Sequence, residues 1–193
     1  MFQLDSVSDP RNNEDKIRRW RCGRIIMRAG QLVEIQQRLL SGNVSVAEVW
    51  LHAKFGRRED DCCCLDYHQP RGMPGFLTLD YIRTGTMASY KTSIGACQTL
   101  DEIARIRSTA AIVAHVTNQK ISDRLLLRHG WERHMECWTG RHWIRRYYGA
   151  YPKSQMHRLI STNKSPPAPA TTDTLPLPCI SGQCPSTSTC TIT

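Results

Sequence analysis

The sequence predicts a mixed α/β (α+β) domain built around a central βαβα unit, and three observations carry that reading. Residues 76–83, Phe-Leu-Thr-Leu-Asp-Tyr-Ile-Arg, alternate as a strand does. Met87, Tyr90, Ile94, Cys97, Leu100 and Ile103 then recur at helical spacing up to about Arg107. Residues 112–131 run from a β-branched segment through a polar break at Thr117-Asn118 and an Arg/Leu helix to a Gly-aromatic stop. Strand, helix, strand, helix implies a right-handed crossover between two parallel strands.

Around that unit the chain divides into a polar leader over residues 1–13, a domain over 14–155 and a tail over 156–193 rich in Pro, Ser and Thr. The leader and tail have little to bury and are expected to be disordered. Ile17, Trp20, Ile25, Ile26, Ala29, Leu32, Val33, Leu39 and Leu40 follow a three-four spacing, which predicts one amphipathic helix over residues 16–40. Ser41-Gly42-Asn43 ends it, and Ser45 with Glu48 three places on caps a second helix over about 45–55. Residues 14–56 therefore read as a helical hairpin. Residues 56–75 carry breakers and charges and read as a loop with at most a short strand. Between 131 and 151, Trp131, Trp138, Trp143, Tyr147 and Tyr148 alternate with Arg and His, and Gly140 marks a turn between two strands.

Composition sets further bounds. A chain of 193 residues accommodates one ordinary domain, and about 140 residues bury enough surface to fold without staples. No apolar run is long enough to span a bilayer, and Met-Phe-Gln-Leu-Asp lacks the basic-then-apolar order of a secretory leader. The expectation is a cytoplasmic protein with no membrane partner. The nine cysteines include no Cys-x-x-Cys pair, so reduced thiols are expected. Cys62-Cys63-Cys64 with His68 offers soft ligands, but adjacent cysteines point in different directions and no metal site is expected. The last four residues, Cys-Thr-Ile-Thr, have no polybasic segment before them, so no lipid anchor is expected. The net charge of +9 rests on 20 Arg against 6 Lys. Arginine suits planar contacts with phosphate or carboxylate, which fits a phosphate-bearing cofactor, RNA, an acidic partner or a solvated basic surface.

Ser122, Arg124, Leu125, Leu126, Gly130 and Trp131, with Asn118 one residue upstream of its usual place, resemble the last βα unit of the GNAT superfamily, the acyl-CoA-dependent N-acyltransferases. The resemblance covers about residues 76–150. It implies acetyl-CoA or another acyl-CoA as cofactor, an amine acceptor as partner, and direct attack of the amine. In that family the cofactor's pyrophosphate sits on backbone amides where the helix after the central strand begins, a place where amides lack partners and the helix dipole favours anions. The matching segment is Arg83-Thr84-Gly85-Thr86-Met87-Ala88 with Ser89, in which Arg83 and Ala88 hold the outer positions and Thr86 stands where glycine is expected. Asn118 would help position the pantetheine arm. Leu126 replaces the Tyr that often protonates the leaving thiolate, and Asp80 and His115 are the candidate bases on the two strands flanking the crossover. A full domain of this family opens with four strands before the cofactor site, whereas at most one is visible here before Phe76.

A second reading is a non-catalytic nucleic-acid-binding or regulatory protein on a degenerate fold of the same kind. Lys16, Arg18, Arg19, Arg21, Arg24 and Arg28 would line the first helix over 16–28, and Arg133, Arg141, Arg145 and Arg146 interleave with aromatics that could stack bases. Amphipathic strands with their aromatics facing a core explain the same pattern. The readings diverge at the sheet: acyl transfer requires the strands ending at Arg83 and Thr117 to part, and a closed sheet there would remove it.

Overall fold

In the computed structural model, described over residues 5–38, 60–117 and 121–160, the chain is an α+β fold. The elements run β1 (Ser6–Val7), α1 (Glu14–Arg19), β2 (Cys22–Arg28), β3 (Gln31–Gln37), β4 (Cys62–His68), β5 (Phe76–Thr84), α2 (Tyr90–Ile106), β6 (Ala111–His115), α3 (Asp123–Arg128), β7 (Glu132–Arg133), β8 (His142–Arg146) and α4 (Met156–Leu159). All eight strands form one sheet in the order β1-β3-β2-β4-β5-β6-β8-β7. Only β5 and β6 pair in parallel; every other neighbour is antiparallel.

The predicted βαβα unit is present as β5, α2, β6 and α3. Helix α2 covers one face of the sheet, burying Gly95, Ala96, Leu100, Ile103, Ala104 and Ile106 over β2, β3 and β4. Helix α3 starts at Ser122, whose side chain accepts from the Leu125 amide at 3.3 Å. It stops at Gly130, φ +74°, in a Schellman turn: the Trp131 amide donates to Leu126 and the Gly130 amide to Leu127. Trp131 is buried and Leu126 packs on the same core, which is the apolar contact that accompanies this turn.

The predicted helix over residues 16–40 is wrong. Only Glu14–Arg19 is helical, and residues 22–37 form the β2–β3 hairpin. A bulge produced the misleading spacing. Ile26 pairs with Glu34 and Met27 with Leu32, so Val33 is an extra residue turned to solvent, and the two inward residues Leu32 and Ile35 fall three apart as on a helix. The turn itself is Ala29-Gly30, with φ of +49° and +73°, a primed two-residue turn with alanine where glycine or asparagine usually signals one. The second predicted helix, over about 45–55, lies outside the described residues.

Three further segments differ from expectation. Within the leader, Ser6–Val7 joins the sheet edge beside β3 and buries Val7. The span read as a loop contains β4, a central strand whose Cys63, Leu65 and Tyr67 point into the core. Among the described residues four strands therefore precede Phe76, where the sequence showed at most one. At the far end, α4 sends Met156 and Leu159 into the core, and Ile160 bridges to Leu32. Each such fully buried side chain contributes about 1.5–3 kcal/mol.

Arg107, just past α2, fastens α1 in place. Its Nη1 donates to the carbonyls of Ile17 (2.9 Å), Arg18 (3.1 Å) and Trp20, and its Nη2 to Gln69 Oε1 (2.6 Å). The last carbonyls of a helix lack intrahelical partners, so one guanidinium supplies a cap that the six-residue helix cannot make for itself.

Two glycines at the sheet–helix contact should respond differently to alanine. A Cβ on Gly23 would stand 2.5–2.8 Å from the Tyr67 ring and hydroxyl, and that ring is buried. One on Gly95 meets mainly the flexible Met27 methyl at 2.5 Å. Urea denaturation is expected to show Gly23→Ala destabilised by about 1–3 kcal/mol. Gly95→Ala should stay within about 1 kcal/mol of wild type, because helix propensity offsets the crowding.

Candidate functional site

The parallel ladder is short. It pairs Phe76 with Ala111 through Leu79 with Ala114 and then stops. Beyond it β5 stays with β4 as far as Thr84, whereas β6 stays with β8, His115 opposite His142 and the Val116 amide on Arg141 O. Among the described residues Asp80 to Thr84 thus have no ladder partner on the β6 side, and the strands part at their carboxyl ends, the end where open α/β sheets receive ligands.

At the parting, β5 carries a bulge. Asp66 pairs with Tyr81 and Tyr67 with Leu79, leaving Asp80 as the extra residue. Because Cys63, Leu65 and Tyr67 face α2, their neighbours Asp66 and His68 face the other way. Asp80 meets His68 on that second face: Oδ1 lies 2.6 Å from His68 Nδ1, with the two side chains 15% and 20% exposed. Burial pushes the Asp80 carboxyl above its ordinary range; the His68 charge and hydrogen bond pull it back, Asp66 adds to the rise and Arg38 opposes it. Asp66, nearly inaccessible, is held by Arg24 through Nε (2.7 Å) and Nη2 (2.8 Å) and by Arg38 at 3.1 Å. That fork leaves a hydrogen-bonded carboxylate–imidazole pair beside a neutralised one.

His115 is the first β6 residue past the ladder, as Asp80 is on β5, and alternation with Ile112 and Ala114 puts it on the same face. Its ring stacks on His142 with centroids 4.6 Å apart and planes 12° from parallel, and Trp138 meets His142 edge-on. Gly140, φ +110°, is required there, since a Cβ would lie 2.5 Å from His115 Nε2. The two candidate bases therefore flank the parting, each with its own partner. His68 was missed because its strand read as loop; the alternation of Cys63, Leu65 and Tyr67 was the signal that could have found it.

The predicted phosphate cradle has a different arrangement. Arg83 and Thr84 pair with Cys64 and Cys63. The Gly85 amide donates to Cys62 O (2.9 Å), and the Ala88 amide to Gly85 O (3.2 Å). The Ser89 amide donates to Asp61 Oδ1 (2.8 Å) and the Ser89 hydroxyl to Asp61 Oδ2 (2.9 Å), while the Thr92 amide donates to Ser89 Oγ (3.2 Å). Met87 is exposed, and Asn118 lies outside the described residues. A bond from the Thr92 side chain and one from the Ser89 amide hold the Asp61 carboxyl below its ordinary range. The positive end of α2 thus already holds a carboxylate of the chain.

The basic run is not one helical face, because it is divided between α1 and β2. Three of its six charges and several of the last strands meet carboxylates of the chain: Lys16 on Asp5, Arg18 on Glu14, Arg24 on Asp66, Arg133 and Arg141 on Asp123, Arg146 on Glu132. Trp131, Trp143 and Tyr147 are buried and Trp138 is exposed. Among the described residues, no three His, Cys, Asp or Glu side chains are placed to hold a metal ion. None of the described helices is long and apolar enough to cross a membrane.

No protein-family model matches the chain, and no curated protein matches it. Among solved structures, a provisionally assigned acetyltransferase of the GNAT family from Desulfovibrio desulfuricans covers 57% of this chain and 86% of its own, at 15% identity and a TM-score of 0.38. A likeness at that score decides neither fold nor activity.

A separate cleft of about 450 Å³ lies between α2, the end of α3, β8 and residues 152–155. Asp101 in its wall bonds Arg145 at 2.9 Å and accepts from Tyr147 at 2.8 Å. Burial pushes the Asp101 carboxyl up to about 6, against the pull of Arg145 and Tyr147. Unfolded, the same carboxyl titrates near about 3.9, so between those values the folded chain binds the extra proton and stability falls as pH rises. Denaturation at a series of pH values is expected to show wild type losing about 2 kcal/mol relative to Asp101→Asn between pH 4 and pH 7.

Proposed function

We propose that the chain transfers an acyl group from a thioester donor to an amine, and that the reaction lies where β5 and β6 part. The observation that carries this reading is the Asp80–His68 pair, set on a bulge at the last residue before an unpaired stretch of parallel strand. A protonated amine cannot attack a carbonyl; it must first lose a proton to a positioned base. With a proton on His68 Nδ1, Asp80 accepts the bond at 2.6 Å, which fixes the imidazole and leaves the Nε2 lone pair to take the proton of the amine. Asp80 then faces an imidazolium, the charge that its raised affinity for a proton and the Asp66–Arg24 fork leave room to stabilise. The freed amine attacks the acyl carbonyl directly, the C–S bond breaks, and the thiolate leaves with the bonding pair and takes up the second proton that the attacking nitrogen sheds. A CoA thioester would supply the acyl group.

His115 and its partner His142 line the other side of the parting and would bound the acceptor. Leu126 lies partly buried against the core, so α3 supplies no hydroxyl for the leaving thiolate. The filled seat at α2 is the observation that favours the second reading, a non-catalytic regulatory protein on this fold.

The test is thiol release from acetyl-CoA in the presence of a panel of primary amines, followed by variants. Wild type is expected to release thiol with at least one acceptor. Asp80→Asn and His68→Gln should each lower kcat by about 10²-fold or more with acceptor KM little changed, because the interaction they remove acts on the proton in flight. Failure of wild type with every amine, or full activity in both variants, sinks the reading.

A further inference from the structure

We infer that the cleft between α2, the end of α3, β8 and residues 152–155 is a binding site for a small organic carboxylate with an apolar body. Its volume of about 450 Å³ suits a ligand of metabolite size. It lies on the α2 side of the sheet, whereas the Asp80–His68 pair lies on the other face, so the site is additional to the acyl-transfer centre.

The charges around this space do not cancel. Asp101 is engaged by Arg145 at 2.9 Å and by the Tyr147 hydroxyl at 2.8 Å, and Glu102, 2% exposed, by Arg105 at 2.9 Å. Both carboxylates of the wall are thus matched by arginines of the chain. Arg128 at the end of α3 and Lys153 in the segment after β8 are exposed at the rim, and neither is paired with a carboxylate of the described residues. Two cations carried by different elements therefore line one cavity. His129, beside Arg128, registers their field: burial lowers its affinity for a proton, and the charges of Arg145 and Arg128 lower it further. A cleft with one sign of charge in surplus concentrates ligands of the other sign.

Part of the wall is apolar. Ile94 and Cys97 come from successive turns of α2, and Pro152 lines the same space from a different segment. Burial and the Asp101 charge push the Cys97 thiol up to about 11 against the pull of Arg145, so the sulfur stays neutral and does not compete for the two cations. Gln98 and Gln155 add uncharged donors. A carboxylate presents two oxygens, one for each cation. A phosphate would add a third, next to the carboxylates of Asp101 and Glu102, where further negative charge is disfavoured. An apolar wall, a few polar groups and titratable side chains displaced from their ordinary ranges together make the form of a small-molecule site.

The experiment is calorimetric titration of the full chain with benzoate, with acetate, and with benzamide and phenyl phosphate, all at neutral pH and fixed ionic strength. Benzoate is expected to bind saturably and about fivefold or more tighter than acetate, which lacks the apolar body, and than benzamide, which lacks the charge. Arg128→Gln and Lys153→Gln change exposed side chains and should each weaken benzoate about fivefold, whereas Arg71→Gln, exposed on a different loop, should leave it unchanged. In the amide spectrum of wild type, benzoate should move the Gln98 and His129 resonances and leave those of His68 and Asp80 in place. Failure of benzoate to bind overturns the site, as does binding that neither rim substitution weakens or that moves the His68 and Asp80 resonances instead. Benzamide or acetate binding as tightly as benzoate, or phenyl phosphate binding more tightly, overturns the ligand class.

Discussion

Four residue pairs of parallel ladder between β5 and β6 set the conditions for everything else in the molecule. A parallel pair needs a crossover, and the crossover is α2, the helix that covers the core face of the sheet. Its start is delivered to the carboxyl ends of the two strands. Because the ladder ends at Leu79 and Ala114, β5 is free to follow β4, and the bulge at Asp80 adds the local twist that lets it do so. One short ladder thus accounts for the parted strands, the outward-turned Asp80 and the nearby start of α2.

The charge of the chain takes its meaning from where its arginines end. Arg24 and Arg38 neutralise Asp66, whose charge would cost several kcal/mol if it were buried unpaired. Arg107 joins α1, the residue-69 loop and the end of α2; Arg145 joins β8 to α2 through Asp101 and to the end of α3 through His129 O. Exposed pairs such as Arg11 with Asp9 contribute about 1 kcal/mol or less each. The excess of arginine over lysine is therefore first a matter of internal geometry: a planar fork can serve two or three acceptors on different elements, and an ammonium on a flexible stem serves them less well.

Legibility in the sequence followed the range of the interactions. The β5–α2–β6–α3 unit was readable because each element declares itself locally: an alternating run, a stripe at helical spacing, Ser122 at one end of α3 and Gly130 at the other. The hairpin of β2 and β3 was not, because the Val33 bulge turned a period of two into a spacing of three and the turn used Ala29 in place of a glycine or asparagine. Strand β4 was hidden by its composition, three cysteines and an aspartate where β-branched residues would have signalled a strand. At the site, Asp80 was readable from its place on β5, but His68 became its partner only through the register of two strands. Asp61 gave no local sign at all, since its contact with Ser89 spans 28 residues and a loop aspartate looks like any solvated charge.

The same side chain does different work in three places here, and the environment assigns the work. Asp61 accepts bonds at a helix start, which favours the charged form and keeps it an anion through the working range of pH. Asp80 lies half-enclosed on a bulge with an imidazole as its main partner; burial works against its charge and the neighbouring histidine restores it, so its ionisation depends on the state of His68. Asp101 is enclosed between α2 and β8 and is pushed furthest, with Arg145 and Tyr147 only partly offsetting the loss of water. Groups of one chemical type whose environments pull their proton affinities apart are how a fold separates a fixed charge from a proton acceptor. The two that stand near the parting strands, Asp61 and Asp80, are pulled in opposite directions. That opposition gives one end of the sheet a charged carboxylate on β4's lead-in and, on β5, a carboxyl whose affinity for a proton is raised.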